Sequence, residues 1–145
     1  MDAPQLSVTK PSRLDRLRGP LLTGGFAVAG VLALHLRDPH SSGSWGLCPW
    51  LVLTGHYCPG CGSLRAVNDL TNFDLVGALS SNLLFVAMLP ALVFWWVRWT
   101  QRAWSGAPPP ARSGGRAGVW IAIGVVVMVA FAVLRNLPAG SWLAP

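Results

Sequence analysis

Three uncharged apolar runs set the architecture: residues 21–36 (LLTGGFAVAGVLALHL), 75–97 (LVGALSSNLLFVAMLPALVFWWV) and 117–134 (AGVWIAIGVVVMVAFAVL). Each is read as a membrane-spanning helix. The first rises only about 24 Å against a hydrocarbon core of about 30 Å, a gap that Arg18 and Arg37 can close by snorkelling. A cleaved signal peptide is the rival reading of this run. No small-x-small site follows it, since Leu36-Arg37-Asp38-Pro39-His40 intervenes, so an uncleaved anchor is expected. Asp74 is placed to cap the second span, and Pro90 inside it is expected to kink the helix. Between the first two runs lies a mixed segment, 38–74, too rich in Cys, Trp and Leu to be disordered. Within it, Ser63 reads as the N-cap of a short amphipathic helix, with Leu64, Val67 and Leu70 on one face and Arg65 and Asp69 as an i,i+4 pair.

The expected fold is therefore an all-α membrane protein. It has three transmembrane helices, a cysteine-containing outward loop and a short interfacial helix. Residues 1–20 form a basic cytoplasmic tail, 21–145 a single three-span domain, and 98–116 a cytoplasmic loop. Composition agrees: 52% of residues are hydrophobic and only 11% charged, with mean hydropathy +0.48, which a soluble domain of this length could not cover with polar surface.

The net charge of +6 raises nucleic-acid binding, but the positions of the cations oppose it. Lys10, Arg13, Arg16 and Arg18 precede the first span; Arg98, Arg102, Arg112 and Arg116 separate the second and third. They meet lipid headgroups there, so no nucleic-acid partner is expected. The segment between them carries Arg37 and Arg65 against Asp38, Asp69 and Asp74. The positive-inside rule then puts the N-terminus in the cytoplasm of a cell inner (plasma) membrane protein, with the cysteine loop and C-terminus outside. Trp95, Trp96, Trp99, Trp104 and Trp120 fit an interfacial belt at the cytoplasmic end.

All three cysteines fall in the loop: Cys48, and Cys58 with Cys61 as a CxxC. Four chemistries stay open. They are a disulfide, a redox dithiol, buried thiols, or a metal site in which His56 or His40 completes a set of zinc ligands with the cysteines. Haem attachment fails, because Gly62 stands where a His is needed. Gly60 and Gly62 bracket Cys61 where the chain turns into the short helix, so at least one is expected at positive φ.

The pattern Cys48-Pro49, Thr54-Gly55, Cys58-Pro59-Gly60-Cys61-Gly62 and Arg65, with Asp74 opening a span and Asn82 inside it, resembles an uncharacterised bacterial membrane family, domain of unknown function 2752. The resemblance covers about residues 45–97 and implies a small multi-span protein. It implies no activity, substrate or cofactor.

Among the remaining polar residues, Ser80, Ser81 and Asn82 lie inside the second span, and Asn82 is in a position to bond the cysteine loop above it. His35 closes the first span near the same surface. No paired carboxylates, phosphate loop or HExxH are present, so no catalytic residues are assigned. The leading expectation is a non-enzymatic accessory, scaffold or assembly protein that uses the cysteine loop as a surface for another membrane protein or itself, with no cofactor. The alternative is a thiol-redox or metal-binding protein, zinc being the ion considered, built on Cys48, Cys58 and Cys61.

Overall fold

The structure, a computed structural model, describes residues 12–41, 43–45, 48–108 and 114–145. The first residues of the expected tail, with Lys10, and Arg112 in the expected 98–116 loop lie outside them.

Helix α1 (Arg13–Leu36) begins well before the expected span. A capping box explains the start: Ser12 Oγ accepts from the Asp15 N–H, and the Asp15 carboxylate accepts from the Ser12 N–H. The polar turn that reads as tail thus has its own helix initiator. The helix runs through Pro20. The gap between spans is likewise shorter than expected, because α4 (Leu75–Ser105) continues past Arg98 and Arg102 and stops at Gly106, which adopts φ 71. Two short helices, α2 (Pro49–Thr54) and α3 (Ser63–Thr71), carry the cysteine segment. Helix α5 (Gly114–Leu134) and a 3₁₀ helix over Pro138–Leu143 complete the chain.

The described residues form helices and turns only, and α1, α4 and the Ala117–Leu134 part of α5 are long and apolar enough to cross a membrane. Their flanks are broadly exposed, with Phe26, Phe94 and Val126 among the outward-facing side chains, as lipid-facing helices require.

Helices α1 and α4 run antiparallel. Near one end Trp96 Nε1 donates to the Pro20 carbonyl (3.0 Å) and Arg16 Nε to the Ala103 carbonyl (3.0 Å). Gly24 and Gly19 make room for the Trp96 and Trp99 rings: a Cβ at either glycine would sit 2.8 or 2.9 Å from a ring carbon. Two of the five expected belt tryptophans therefore pack between helices, as small residues at membrane-helix interfaces allow. At the opposite end Asn68 Nδ2 donates to the Leu34 carbonyl (2.7 Å) and His35 Nδ1 bonds Thr71 Oγ1 (3.0 Å), so α3 is pinned across the end of α1.

Two local expectations need correction. The cap of α3 is Gly62, not Ser63. That helix is amphipathic as expected; it buries Ala66, Asn68 and Asp69 against the other helices and leaves Leu64 of its apolar face exposed. Finally, helical geometry in α4 breaks at Asn82 (φ −160, ψ 93) and not at Pro90. A buried side-chain amide replaces the missing backbone bonds at Asn82, as described below. The Asp74 cap forms as expected, its carboxylate accepting from the Gly77 N–H (2.8 Å).

Candidate functional site

The cysteine segment closes one end of the helices through two turns that the sequence prescribes. Pro49 occupies the first turn of α2, where its missing N–H costs nothing, and Cys48 stands at the N-cap. Gly55 ends α2 in the left-handed region (φ 70). Thr54 locks that end, donating from Oγ1 to the Trp50 carbonyl (2.7 Å) and accepting from the His56 N–H (3.2 Å). The second turn spans the CxxC. The Cys61 N–H donates to the Cys58 carbonyl and the Ser63 N–H to the Gly60 carbonyl, both at 3.1 Å. Gly62 then enters α3 at φ 84, the positive value expected for one of the bracketing glycines. A Cβ there would fall on the Ser81 carbonyl of α4, so conformation and space both require glycine.

Side chains from two distant helices hold the CxxC turn. Asn82 is fully buried (0% exposed). Its Nδ2 donates to the carbonyls of Pro59 (2.9 Å) and Cys61 (3.0 Å) and to Ser63 Oγ (3.2 Å), and its Oδ1 accepts from the Phe85 N–H (2.9 Å), recapping α4 below the break. The expected bond between Asn82 and the cysteine loop is thus present. Just beyond α5, Arg135 (1% exposed) donates from Nη1 to the carbonyls of Cys58 (2.9 Å) and Cys61 (3.1 Å). The next residue, Asn136, pairs reciprocally with the Tyr57 backbone, accepting its N–H (2.8 Å) and donating to its carbonyl (2.9 Å). Arg135 and Asn136 follow the third expected span, and the sequence pattern assigns them no role. The signal available was an arginine directly after an uncharged span at the end that the charge rule makes the outer one.

These contacts bring the three thiols together. Cys58 Sγ lies 3.1 Å from Cys61 Sγ and 3.7 Å from Cys48 Sγ, and all three sulfurs fall within 4.8 Å of one another. Neither short pair is at the bonded distance of about 2.05 Å, so no disulfide joins the three cysteines in this structure. Their electrostatics differ. The Leu51 N–H makes no full hydrogen bond to Cys48 Sγ, yet its dipole at the start of α2 is the main cause holding Cys48 below the ordinary thiol pKa. Burial, reinforced by the Cys58 and Cys48 thiols, pushes Cys61 up to about 12.

Neither histidine considered as a fourth ligand joins the sulfurs. His56 Nδ1 turns back onto the Thr54 carbonyl (2.7 Å). His40 bridges two carboxylates, Nδ1 to Asp38 (2.9 Å) and Nε2 to the buried Asp69 (3.2 Å). Asp69 also accepts from Ser81 Oγ (2.8 Å), so its partners are His40 and Ser81 in place of the expected Arg65. Arg65 instead sits half-buried where its charge acts on Asp38. Among the described residues, the cluster of potential metal donors consists of Cys48, Cys58 and Cys61.

No curated protein and no solved structure matches the chain. The segment that builds this end, from the Cys48 cap through the CxxC turn and the Asn82 break into α4, is where a known family is found: residues 48–96 match the model of the family described as protein of unknown function (DUF2752), the one the cysteine motif resembles.

Proposed function

We propose that the chain is a membrane-anchored metal-binding protein whose Cys48, Cys58 and Cys61 thiolates hold a soft transition-metal ion. The observation that carries this reading is the convergence of three thiols from two separate turns within 4.8 Å of one another. A dithiol redox couple uses two sulfurs; here a third is delivered from the cap of α2. Zn–S bonds of about 2.3 Å put tetrahedral ligand sulfurs about 3.8 Å apart. The Cys48–Cys58 separation of 3.7 Å fits this, and Cys58 and Cys61, at 3.1 Å, need spread only slightly. Three protein ligands leave one coordination position for water, a transferred ligand or a partner's donor, the pattern of working rather than purely structural zinc sites.

Native mass spectrometry of the detergent-solubilised full chain loaded with Zn²⁺ tests this. One ion per chain is expected, lost on replacing any of the three cysteines by Ser. A chain two hydrogens lighter, with no bound ion, would replace the metal reading by a disulfide.

A second reading keeps the accessory role. Trp50, Leu53, Phe73 and Trp142 expose large apolar surfaces around the same end, as a seat for another membrane protein would. Crosslinking from native membranes through these positions tests that reading.

A further inference from the structure

Arg135 is a buried cation without an anion. It is 1% exposed, and its Nε and Nη2 have no hydrogen-bond partner. Nη1 reaches only the two backbone carbonyls of the CxxC turn. The guanidinium lies over the Phe131 ring (5.0 Å) and near the Tyr57 ring (5.7 Å). Among the described residues no carboxylate forms an ion pair with it; the ion pairs present join Arg18 to Asp15 and His40 to Asp38 and Asp69. The ionisable groups that would stabilise its charge, once themselves ionised, are Cys61, Cys58 and Tyr57. A buried charge left uncompensated is strongly destabilising, and its partner is normally found next to it. The cysteine cluster is the available source of negative charge, and three neutral thiols supply none.

We infer that Arg135 is the counter-charge of a metal–trithiolate unit, and that the site is matched to a divalent ion. This rests on the metal reading above and deepens it. Three thiolates on a divalent ion carry a net charge of −1, which one guanidinium neutralises. Three thiolates on a monovalent ion carry −2, one charge more than Arg135 neutralises, so a monovalent ion is matched with two. Arg135 thereby acts through the ligands as a positioning and charge-matching residue, and its bonds to the Cys58 and Cys61 carbonyls fix it to the turn that presents two of the three sulfurs.

The test is Zn²⁺ affinity of the full chain in detergent, by competition with a chromogenic chelator. Arg135→Met, which keeps the length and removes the charge, is expected to weaken binding about 10- to 100-fold, the usual effect of losing an outer-sphere partner. Arg135→Lys, which keeps the charge and loses the paired carbonyl contacts, is expected to recover most of it. A purely structural arginine predicts equal loss in both variants, and that result overturns the inference, as does unchanged affinity in Arg135→Met. If Arg135→Met does not accumulate, Ag⁺ as a monovalent probe decides on the wild-type background. Replacing any of the three cysteines should abolish Zn²⁺ binding, whereas one of the three should be dispensable for Ag⁺. An equal need of all three by Ag⁺ overturns charge matching. Wild type that binds no Zn²⁺ removes the metal reading itself; wild type that binds it with an insensitive Arg135 removes only this inference.

Discussion

Cys48 and Cys61 share one sulfur cluster but meet opposite local fields. The start of α2 lowers the pKa of Cys48, and burial raises that of Cys61 to about 12. The thiolate is the nucleophile, so at a given pH the lower pKa gives the larger reactive fraction. In the metal-free chain at mildly alkaline pH, Cys48 should therefore be alkylated before Cys61, with Cys61 labelling still rising steeply beyond pH 9. Time-resolved peptide mapping with iodoacetamide reads the order; Cys61 labelled ahead of Cys48 would contradict the assigned environments. Much at this scale was legible in the sequence. The CxxC, the glycine at its exit and the reach of Asn82 towards the loop all follow from residue type and spacing. Arg135 did not, because a charge at the end of a span ordinarily faces water, and only the fold shows that this one turns inward between two rings.

Helix α4 shows how an element-level signal misleads. Proline is the usual reason for a membrane helix to bend, yet helical dihedrals fail at Asn82 and hold at Pro90. The difference lies in what each site offers the backbone. At Asn82 one side chain serves two elements, receiving the Phe85 N–H below and bonding the Pro59 and Cys61 carbonyls above. Hydropathy reports neither, since an asparagine inside an apolar run looks the same whether it bonds a neighbouring helix or a loop. Removing this amide takes the Pro59 carbonyl's donor and the Phe85 N–H's acceptor, while the Cys61 carbonyl keeps Arg135, at about 1–3 kcal/mol for each buried group left unsatisfied. Asn82→Ala should thus lower thermal stability in detergent and speed alkylation of Cys61, because the turn that buries it loses a tether. Pro90→Ala should leave Cys61 labelling unchanged. If the two substitutions affect Cys61 equally, Asn82 is not the link between span and loop.

For the whole molecule, the distribution of charge becomes three-dimensional. Arg13 stacks on Trp104 (4.8 Å) and Arg16 bonds Ala103, so the basic start of α1 and the basic end of α4 form one cationic face. The cysteine end carries Arg37 and Arg65 among Asp38, Asp69 and Asp74, and its remaining cation, Arg135, is buried against the CxxC turn rather than offered to headgroups. Counted by sequence alone, Arg135 weakens the positive-inside assignment at the end of α5. Counted by structure, it drops out, since a cation sealed in protein does not interact with the membrane surface as an exposed one does. The orientation expected is thus N-terminus in, with the thiol site and C-terminus out. An alkaline phosphatase fused after Pro145 should be active, and a fluorescent protein that folds only in the cytoplasm should stay dark there. Arg135→Met should not change either reporter. The opposite pair of signals would invert the orientation and place the thiols in a reducing compartment, where a metal-bound trithiolate is still feasible but a stable disulfide is not. The same fusions therefore also bear on which cysteine chemistry the compartment permits.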